Sequence, residues 1–203
     1  MKKLSFLASL VFLCLPLVAL AQEVSPKVEI FGGYSFLRVD LGAVPAGAVP
    51  AGTIPGNLDT HGFNVSFAGN VARHVGIISE FSHYTKTESF NILGSPLPNG
   101  VNIDFRVLTL LFGPRVTLHR GKVEPFVHGL FGAARADASS LGMSLGDPGY
   151  AFAYALGGGF DVKVHNNFAI RLGQVDYLGA RSGGEVLNNF RYSVGVVVRL
   201  GNR

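Results

Sequence analysis

Two residue pairs in this chain could in principle supply catalysis, Ser82-His83 and Ser139-Ser140. A serine nucleophile needs a general base within hydrogen-bond reach. Neighbouring residues of a β-strand point to opposite faces, so His83 cannot act as the base for Ser82 within one regular strand. The spacing of these residues therefore predicts that the chain is not an enzyme.

Patterns for metal or cofactor binding are equally poor. Cys14 is the single cysteine, and the histidines are too scattered to form a ligand pair on one element. Gly157-Gly158-Gly159 is not a phosphate-binding loop because no helix pattern follows it, and we interpret it as a strand kink that relieves curvature. We therefore expect neither a metal nor a cofactor. The histidines are His61, His74, His83, His119, His128 and His165.

Electrostatic pairing is the chemistry that remains. Acids and bases occur singly and in nearly equal number within otherwise apolar segments. If they share an interior they must pair, because an unpaired buried charge costs several kcal/mol. We therefore predict an inward-facing charge network. Its predicted members are Glu29, Glu80, Asp104, Arg106, Glu124, His128, Asp161, Lys163, Asp176, Arg191 and Arg199.

The elements that would position these side chains are strands, because large apolar residues recur at every second position. From Phe190 to Leu200, one face is apolar and aromatic, and the other carries Arg191, Ser193, Gly195 and Arg199. Seven further segments alternate in the same way and begin near residues 27, 60, 75, 101, 122, 151 and 167. The pattern therefore predicts eight strands with large apolar side chains outside and small or charged ones inside.

Two of these segments break the alternation. In the fourth, Ile103, Phe105 and Val107 are predicted outward and Asn102, Asp104 and Arg106 inward, which places Arg115 on the apolar face unless the parity changes near Gly113-Pro114. We predict a bulge or a strand end there, because proline cannot donate a ladder hydrogen bond. In the seventh segment, Arg171 and Asp176 share a face only if a bulge intervenes, which we place at Gly173.

The connections alternate between short and long. Short turns are predicted near 70–74, 119–121 and 165–167, and longer links at 41–58, 89–100, 136–149 and 181–188. Short turns at one end and long loops at the other are typical of an up-and-down β-barrel of the outer membrane. The first long loop contains the repeat Ala-Val-Pro-Ala-Gly twice over 43–52, which we interpret as a tolerated expansion or an extracellular contact surface.

Composition supports a membrane barrel over a soluble domain. Charged residues make up only 15% of the chain, against roughly a quarter in ordinary globular proteins. Beyond the N-terminal segment, no stretch reaches the roughly 18 apolar residues of a membrane-spanning helix. A closed β-barrel is the other structure that satisfies every backbone group in lipid. We therefore predict an all-β, eight-stranded, antiparallel transmembrane barrel.

The N-terminus has the pattern of a secretory signal peptide. Lys2 and Lys3 precede an apolar run, and the small residues at 19 and 21 predict cleavage after Ala21. The predicted organisation is a signal peptide at 1–21 and a barrel domain at 22–203. Cleavage removes Cys14 and two of the 17 lysines and arginines, leaving 15 against 13 acids. That balance does not indicate a nucleic-acid partner.

The chain resembles the outer-membrane β-barrel domain family, the small porin-like group related to the transmembrane barrel of outer membrane protein A. The segments that carry the resemblance are 28–36, 112–115, 124–127, 157–161 and 171–177, with the last strand. The resemblance implies a bacterial outer-membrane location, lipid as surroundings and an encounter with the barrel-assembly machinery. Gly195, Val198 and Leu200 are similar to the terminal signal which that machinery reads.

An eight-stranded barrel is wide enough only for side chains or one small ligand. We therefore expect a porin-like structural barrel whose lumen is largely plugged by its charge network. The alternatives are adhesion or binding of an unknown ligand through the long loops, and a narrow ion or solute pore. An outer-membrane enzyme that modifies lipids is the least favoured alternative.

Overall fold

The computed structural model describes residues 26–40, 57–90, 101–119, 121–140, 143–144, 149–182 and 185–202. These residues form eight long strands and a two-residue strand, Met143–Ser144, that pairs with the end of the fifth. The long strands are β1 (Pro26–Asp40), β2 (Asn57–Asn70), β3 (Val75–Phe90), β4 (Val101–Thr117), β5 (Val123–Ser140), β6 (Tyr150–His165), β7 (Phe168–Ser182) and β8 (Glu185–Asn202). Within the described residues, no helix is long and apolar enough to cross a membrane.

The eight strands close into a single barrel. Each long strand pairs antiparallel with its neighbour along the chain, and β1 also pairs antiparallel with β8, from Pro26↔Asn202 to Arg38↔Phe190. Among the described residues, closure leaves each of the eight long strands paired on both sides, which removes the backbone groups that an open sheet would expose. The predicted eight-stranded, up-and-down, antiparallel barrel is confirmed.

One end of the barrel has short turns. Four residues join β2 to β3, five join β4 to β5, and two join β6 to β7. We call this the short-turn end and the opposite end the long-loop end. The predicted signal peptide through Ala21 and the repeat at 43–52 lie outside the described residues.

The outer face carries a continuous apolar band. Toward the long-loop end the band is bounded by polar outward residues, among them Arg38, His61, Arg106 and Arg135. On β4 the band runs from residue 108 to residue 118. At about 3.4 Å per residue and a tilt of about 40°, this segment spans roughly 25 Å along the barrel axis. Its outward side chains are Leu108, Leu110, Phe112, Pro114, Val116 and Leu118.

The predicted faces of β4 were wrong. Its register with β3 runs unbroken from Val75↔Val116 to Phe90↔Val101, so no bulge forms at Gly113-Pro114. Arg115 therefore points inward, and Asp104 and Arg106 lie on the outer face. The physical reason is that residues 101–107 extend beyond the apolar band, where the outer face is polar and the inner face apolar.

The predicted bulge in β7 is confirmed. The register shifts between Arg171 and Gln174 against β8, and the pairing against β6 passes from Phe160↔Gly173 to Asp161↔Arg171. The extra residue changes the parity of the strand. Arg171, Gln174 and Asp176 all face the interior as a result.

Candidate functional site

The barrel interior holds most of the charges that the sequence pattern assigned to it. Of the eleven side chains predicted inward, His128 and eight of the ten Asp, Glu, Lys and Arg residues face the interior, while Asp104 and Arg106 do not. Lys163 is half-buried near the short-turn end. The other seven are at most 4% exposed, and they are Glu29, Glu80, Glu124, Asp161, Asp176, Arg191 and Arg199.

Three further members of the network were missed by the sequence prediction. Arg115 was left out of the predicted network, because the parity of β4 was taken from the residues beyond the apolar band and a bulge or strand end was predicted at Gly113-Pro114. Arg171 and Gln174 are each 0% exposed and lie on either side of the bulge. The need for Arg171 and Asp176 to share a face was the signal in the sequence that could have found them.

Arg191 is the centre of the network. Its guanidinium lies 2.5 Å from a carboxylate oxygen of Glu80 and 2.6 Å from one of Asp176, and it donates a 3.2 Å hydrogen bond to Ser82 Oγ. His128 Nε2 lies 2.8 Å from the other oxygen of Asp176. One arginine of β8 is thereby joined to acids on β3 and β7.

A second arginine extends the same network toward the short-turn end. Arg171 donates two hydrogen bonds to the carboxylate of Asp161, at 2.8 and 3.0 Å, and one of 2.7 Å to Gln174 Oε1. Its guanidinium carbon lies 4.3 Å from the ring centre of Phe31 and 4.2 Å from that of Phe126. Cation–π contact of this kind is strongest where water is excluded. The Gln174 amide then donates to both Glu80 and Asp176, which links the two arginines.

The short-turn end contains two more ion pairs. Arg115 donates to Glu29, which also accepts a 3.2 Å hydrogen bond from Asn70. Arg199 donates to Glu124, and His119 Nδ1 lies 3.5 Å from the other oxygen of that carboxylate.

Every strand of the barrel contributes to this interior network. The deeply buried set has five carboxylates and four arginines, and His128 and His119 lie beside Asp176 and Glu124. Buried ions are tolerated when paired and hydrogen-bonded in this way. The arrangement therefore connects the strands of the barrel wall to one another and fills the interior toward the short-turn end. By strand, the members are Glu29 (β1), Asn70 (β2), Glu80 (β3), Arg115 (β4), Glu124 and His128 (β5), Asp161 (β6), Arg171 and Asp176 (β7), and Arg191 and Arg199 (β8).

Gly157 makes room for this network. A Cβ added to Gly157 would lie 2.0 Å from a carboxylate oxygen of Asp176 and 2.4 Å from the carbonyl oxygen of Val175. The sequence pattern predicts a strand kink at this glycine run. What the structure shows at Gly157 is that the missing side chain leaves the space that the Asp176 carboxylate occupies.

Gly157→Ala is therefore expected to destabilise the barrel by about 1–3 kcal/mol, since it overpacks a filled interior and displaces Asp176 from Arg191. Urea unfolding in lipid vesicles measures the change. Gly32→Ala is the matched control, because a Cβ on the outward Gly32 meets nothing within 4 Å. Equal stability of the two variants would show that the space at Gly157 is not filled.

Between the charge network and the long-loop end, the interior becomes apolar. A layer of buried side chains includes Leu37, Tyr84, Leu111 and Leu178, each at most 2% exposed. Within it, Ser35 Oγ lies within hydrogen-bonding distance of the Tyr84 hydroxyl at 2.9 Å and of Ser193 Oγ at 2.8 Å. This apolar layer separates the charge network from a cavity of about 430 Å³ near the long-loop end.

The fold is that of the small eight-stranded barrels of bacterial outer membranes. The structure is similar to Ail, the attachment invasion locus protein of Yersinia pestis, determined with the heparin analogue sucrose octasulfate: TM-score 0.57, 21% identity, covering 87% of this chain and 99% of Ail. It is also similar to Neisserial surface protein A, with a TM-score of 0.60 and 11% identity over 88% of this chain and 100% of that one. No family model and no curated protein matches the sequence.

Proposed function

We propose that this chain is an integral outer-membrane β-barrel, a porin-like structural protein whose lumen is closed by its own side chains. The single observation that carries the proposal is the buried network of ion pairs and hydrogen bonds, which draws charged members from seven strands and Asn70 from β2. An eight-stranded wall encloses space only for side chains or one small ligand. The apolar band, roughly 25 Å tall, has the height of the hydrocarbon-facing band of outer-membrane barrels.

Folding of the Gln22–Arg203 chain into bilayers, followed by single-channel recording, tests this proposal. A heat-modifiable shift in gel migration establishes that the barrel has formed. We expect the folded barrel to be electrically silent. Steady, discrete conductance would instead support the narrow pore and overturn the closed lumen. The double variant Glu80→Ala/Arg191→Ala removes a charge pair from the network and serves as the open-lumen control.

Binding at the long-loop end is the second candidate, and one observation favours it. Strands β3, β4 and β5 continue beyond the apolar band as a polar extension, with Thr87 Oγ1 donating a 2.7 Å hydrogen bond to Asp104. Such an extension is a rigid scaffold outside the apolar band, and loops on rigid scaffolds often carry function.

The charge of this extension does not favour a polyanion. Ail was determined with a sulfated ligand, but the extension here has three bases and three acids, so it lacks the excess positive charge that attracts such molecules. The charged residues are Lys86, Glu88, Asp104, Arg106, Arg135 and Asp137. The ligand class of the loops therefore stays open in this second candidate.

Deleting Ala43–Gly52 is expected to leave barrel formation and stability unchanged, because β1 and β2 pair from Val28↔Gly69 to Asp40↔Asn57 without that segment. Gel migration and urea unfolding of the deletion variant measure this. A variant that no longer folds would show that the repeat has a structural role.

We propose no catalytic activity for the barrel. Ser82 Oγ accepts a hydrogen bond from Arg191 inside the barrel, whereas the His83 ring is on the outer face, 5.8 Å from the ring of Phe63. His83 is thus on the wrong side of the wall to activate Ser82. The expected partners are outer-membrane lipids and, during biogenesis, the barrel-assembly machinery.

A further inference from the structure

The cavity near the long-loop end has an unusual lining for a space open to water. Among the described residues that line it, most inward-facing side chains are aliphatic or small, Thr109 and Asn189 are polar, and Arg181 is the one cation. They include Leu37, Val39, Val107, Thr109, Ala134, Ala136, Ala151, Leu178, Ala180 and Leu187. We propose that this cavity, the mouth cavity, is a binding site for a small uncharged apolar molecule.

Small side chains on three adjacent strands create the space. The inward positions of the long-loop halves of β5, β6 and β7 include Ala134, Ala136, Ala151 and Ala180. Larger side chains at the same inward positions would fill the lumen, as the buried arginines and phenylalanines do toward the short-turn end. The mouth cavity therefore exists because alanine stands where the barrel has room for leucine.

The floor of the mouth cavity is closed and offers few polar partners. Leu37 and Leu178 lie at its base, and both are at most 2% exposed. Asn189, the amide in the lining, is already engaged: its Nδ2 donates 3.0 Å to the carbonyl of Leu178, and its Oδ1 accepts 3.0 Å from the amide of Asp40. Among the described lining residues, Thr109 Oγ1 is the buried side-chain oxygen left without a hydrogen-bond partner. It offers one contact, whereas an ordered water needs two to four polar partners.

The chemistry of the ligand follows from this lining. A charged ligand would lose its hydration without an inward-facing counter-ion to replace it. An apolar ligand gains by covering aliphatic surface, at about 25 cal/mol per Å². The volume of about 430 Å³ falls within the range of about 300–1,000 Å³ typical of small-molecule sites. A molecule with two or three fused rings and no charge is therefore the expected class of occupant.

Binding of 1-aminoanthracene, an uncharged fluorescent amine, to the folded chain in lipid nanodiscs tests the proposal. We expect saturable binding above the partitioning into empty nanodiscs. In deuterated lipid, nuclear Overhauser effects should connect the probe to the methyl groups of Ala134 and Leu178, which face the cavity, and not to that of the outward Ala133.

Ala136→Phe should fill the mouth cavity and weaken binding by about tenfold or more. Ala133→Phe is the matched control, because it adds the same ring to the outer face of the same strand and should change the affinity less than about twofold. Equal affinity of both variants, or probe contacts to outward methyl groups alone, would overturn the proposal.

A third variant tests whether part of the chain itself, and not a small molecule, occupies the mouth cavity. If the probe binds only after Ala43–Gly52 is deleted, that part of the chain fills the cavity and the proposal is wrong. Failure here is distinguishable from failure of the closed-lumen proposal. Gel migration reports whether the barrel has folded. Conductance reports whether the lumen on the short-turn side of the apolar layer is closed, and probe binding reports whether the mouth cavity on the other side holds a ligand.

Discussion

Arg191→Ala is expected to lower the free energy of unfolding by about 3–5 kcal/mol. The substitution leaves the carboxylates of Glu80 and Asp176 buried without the guanidinium that lies 2.5 and 2.6 Å from them. Both acids have 0% side-chain exposure, so water cannot replace the lost partner. Urea unfolding in lipid vesicles, followed by gel migration and circular dichroism, measures the loss.

Arg38→Ala is the matched control for the loss of an arginine. Arg38 also pairs with an acid, at 2.7 Å from Asp59, but the side chains are 54% and 43% exposed. Exposed ion pairs contribute little, so we expect no measurable change in stability. In a second arm, neutralising both acids of the Arg191→Ala variant as Glu80→Gln and Asp176→Asn should recover part of the loss. If it recovers none, the effect of Arg191 is due to packing and not to charge.

Val196→Arg is expected to impair folding into the membrane by about 2–4 kcal/mol. Val196 lies on the outer face of β8, 50% exposed, near the middle of the apolar band. An arginine there would be held against hydrocarbon. Leu200→Arg on the same face, at the short-turn edge of the band, should cost only about 0–1 kcal/mol.

Refolding yield in vesicles and urea titration measure both substitutions. Unchanged stability of Val196→Arg would invert the assignment of inner and outer faces. A loss as large in Leu200→Arg as in Val196→Arg would mean that the effect does not depend on depth, which contradicts a bilayer around the barrel.

The fold could be predicted because a membrane barrel repeats one simple rule on every strand. Alternation of large apolar with small or charged residues defined all eight strands, and the observed start of β1 at Pro26 lies one residue before the predicted start near residue 27. The bulge in β7 was predictable for the same reason, because Arg171 and Asp176 could not both be buried without it.

The faces of β4 could not be predicted from alternation alone. Beyond the apolar band, water replaces lipid outside, and the inner wall is apolar, so the rule that assigns polar residues to the interior reverses. Asp104 and Arg106 follow the reversed rule, and Arg115 follows the ordinary one. Alternation gives two faces for each strand, but it does not state where along the strand the surroundings change.

The pairing within the interior network was also beyond the sequence. The pattern indicated which residues share the interior, whereas partners depend on the stagger between strands that are far apart in the chain. Glu29 and Arg115 are 86 residues apart, and Glu124 and Arg199 are 75 apart. The mouth cavity was missed because an inward alanine can mean either a closely packed interior or an empty space. The sequence does not show how far the opposite wall lies from it.

The position of two arginines on the last strand has a consequence for assembly kinetics. Arg191 and Arg199 both belong to β8, and between them they pair with Glu80, Asp176 and Glu124. An assembly intermediate with only seven strands in place would hold these three carboxylates without the two guanidinium groups. Long-range partners of this kind make folding slow, since the chain entropy is lost before the contacts form. The final strand thus completes the sheet and supplies two of the four buried arginines in the same step, which favours release of complete barrels over partial ones.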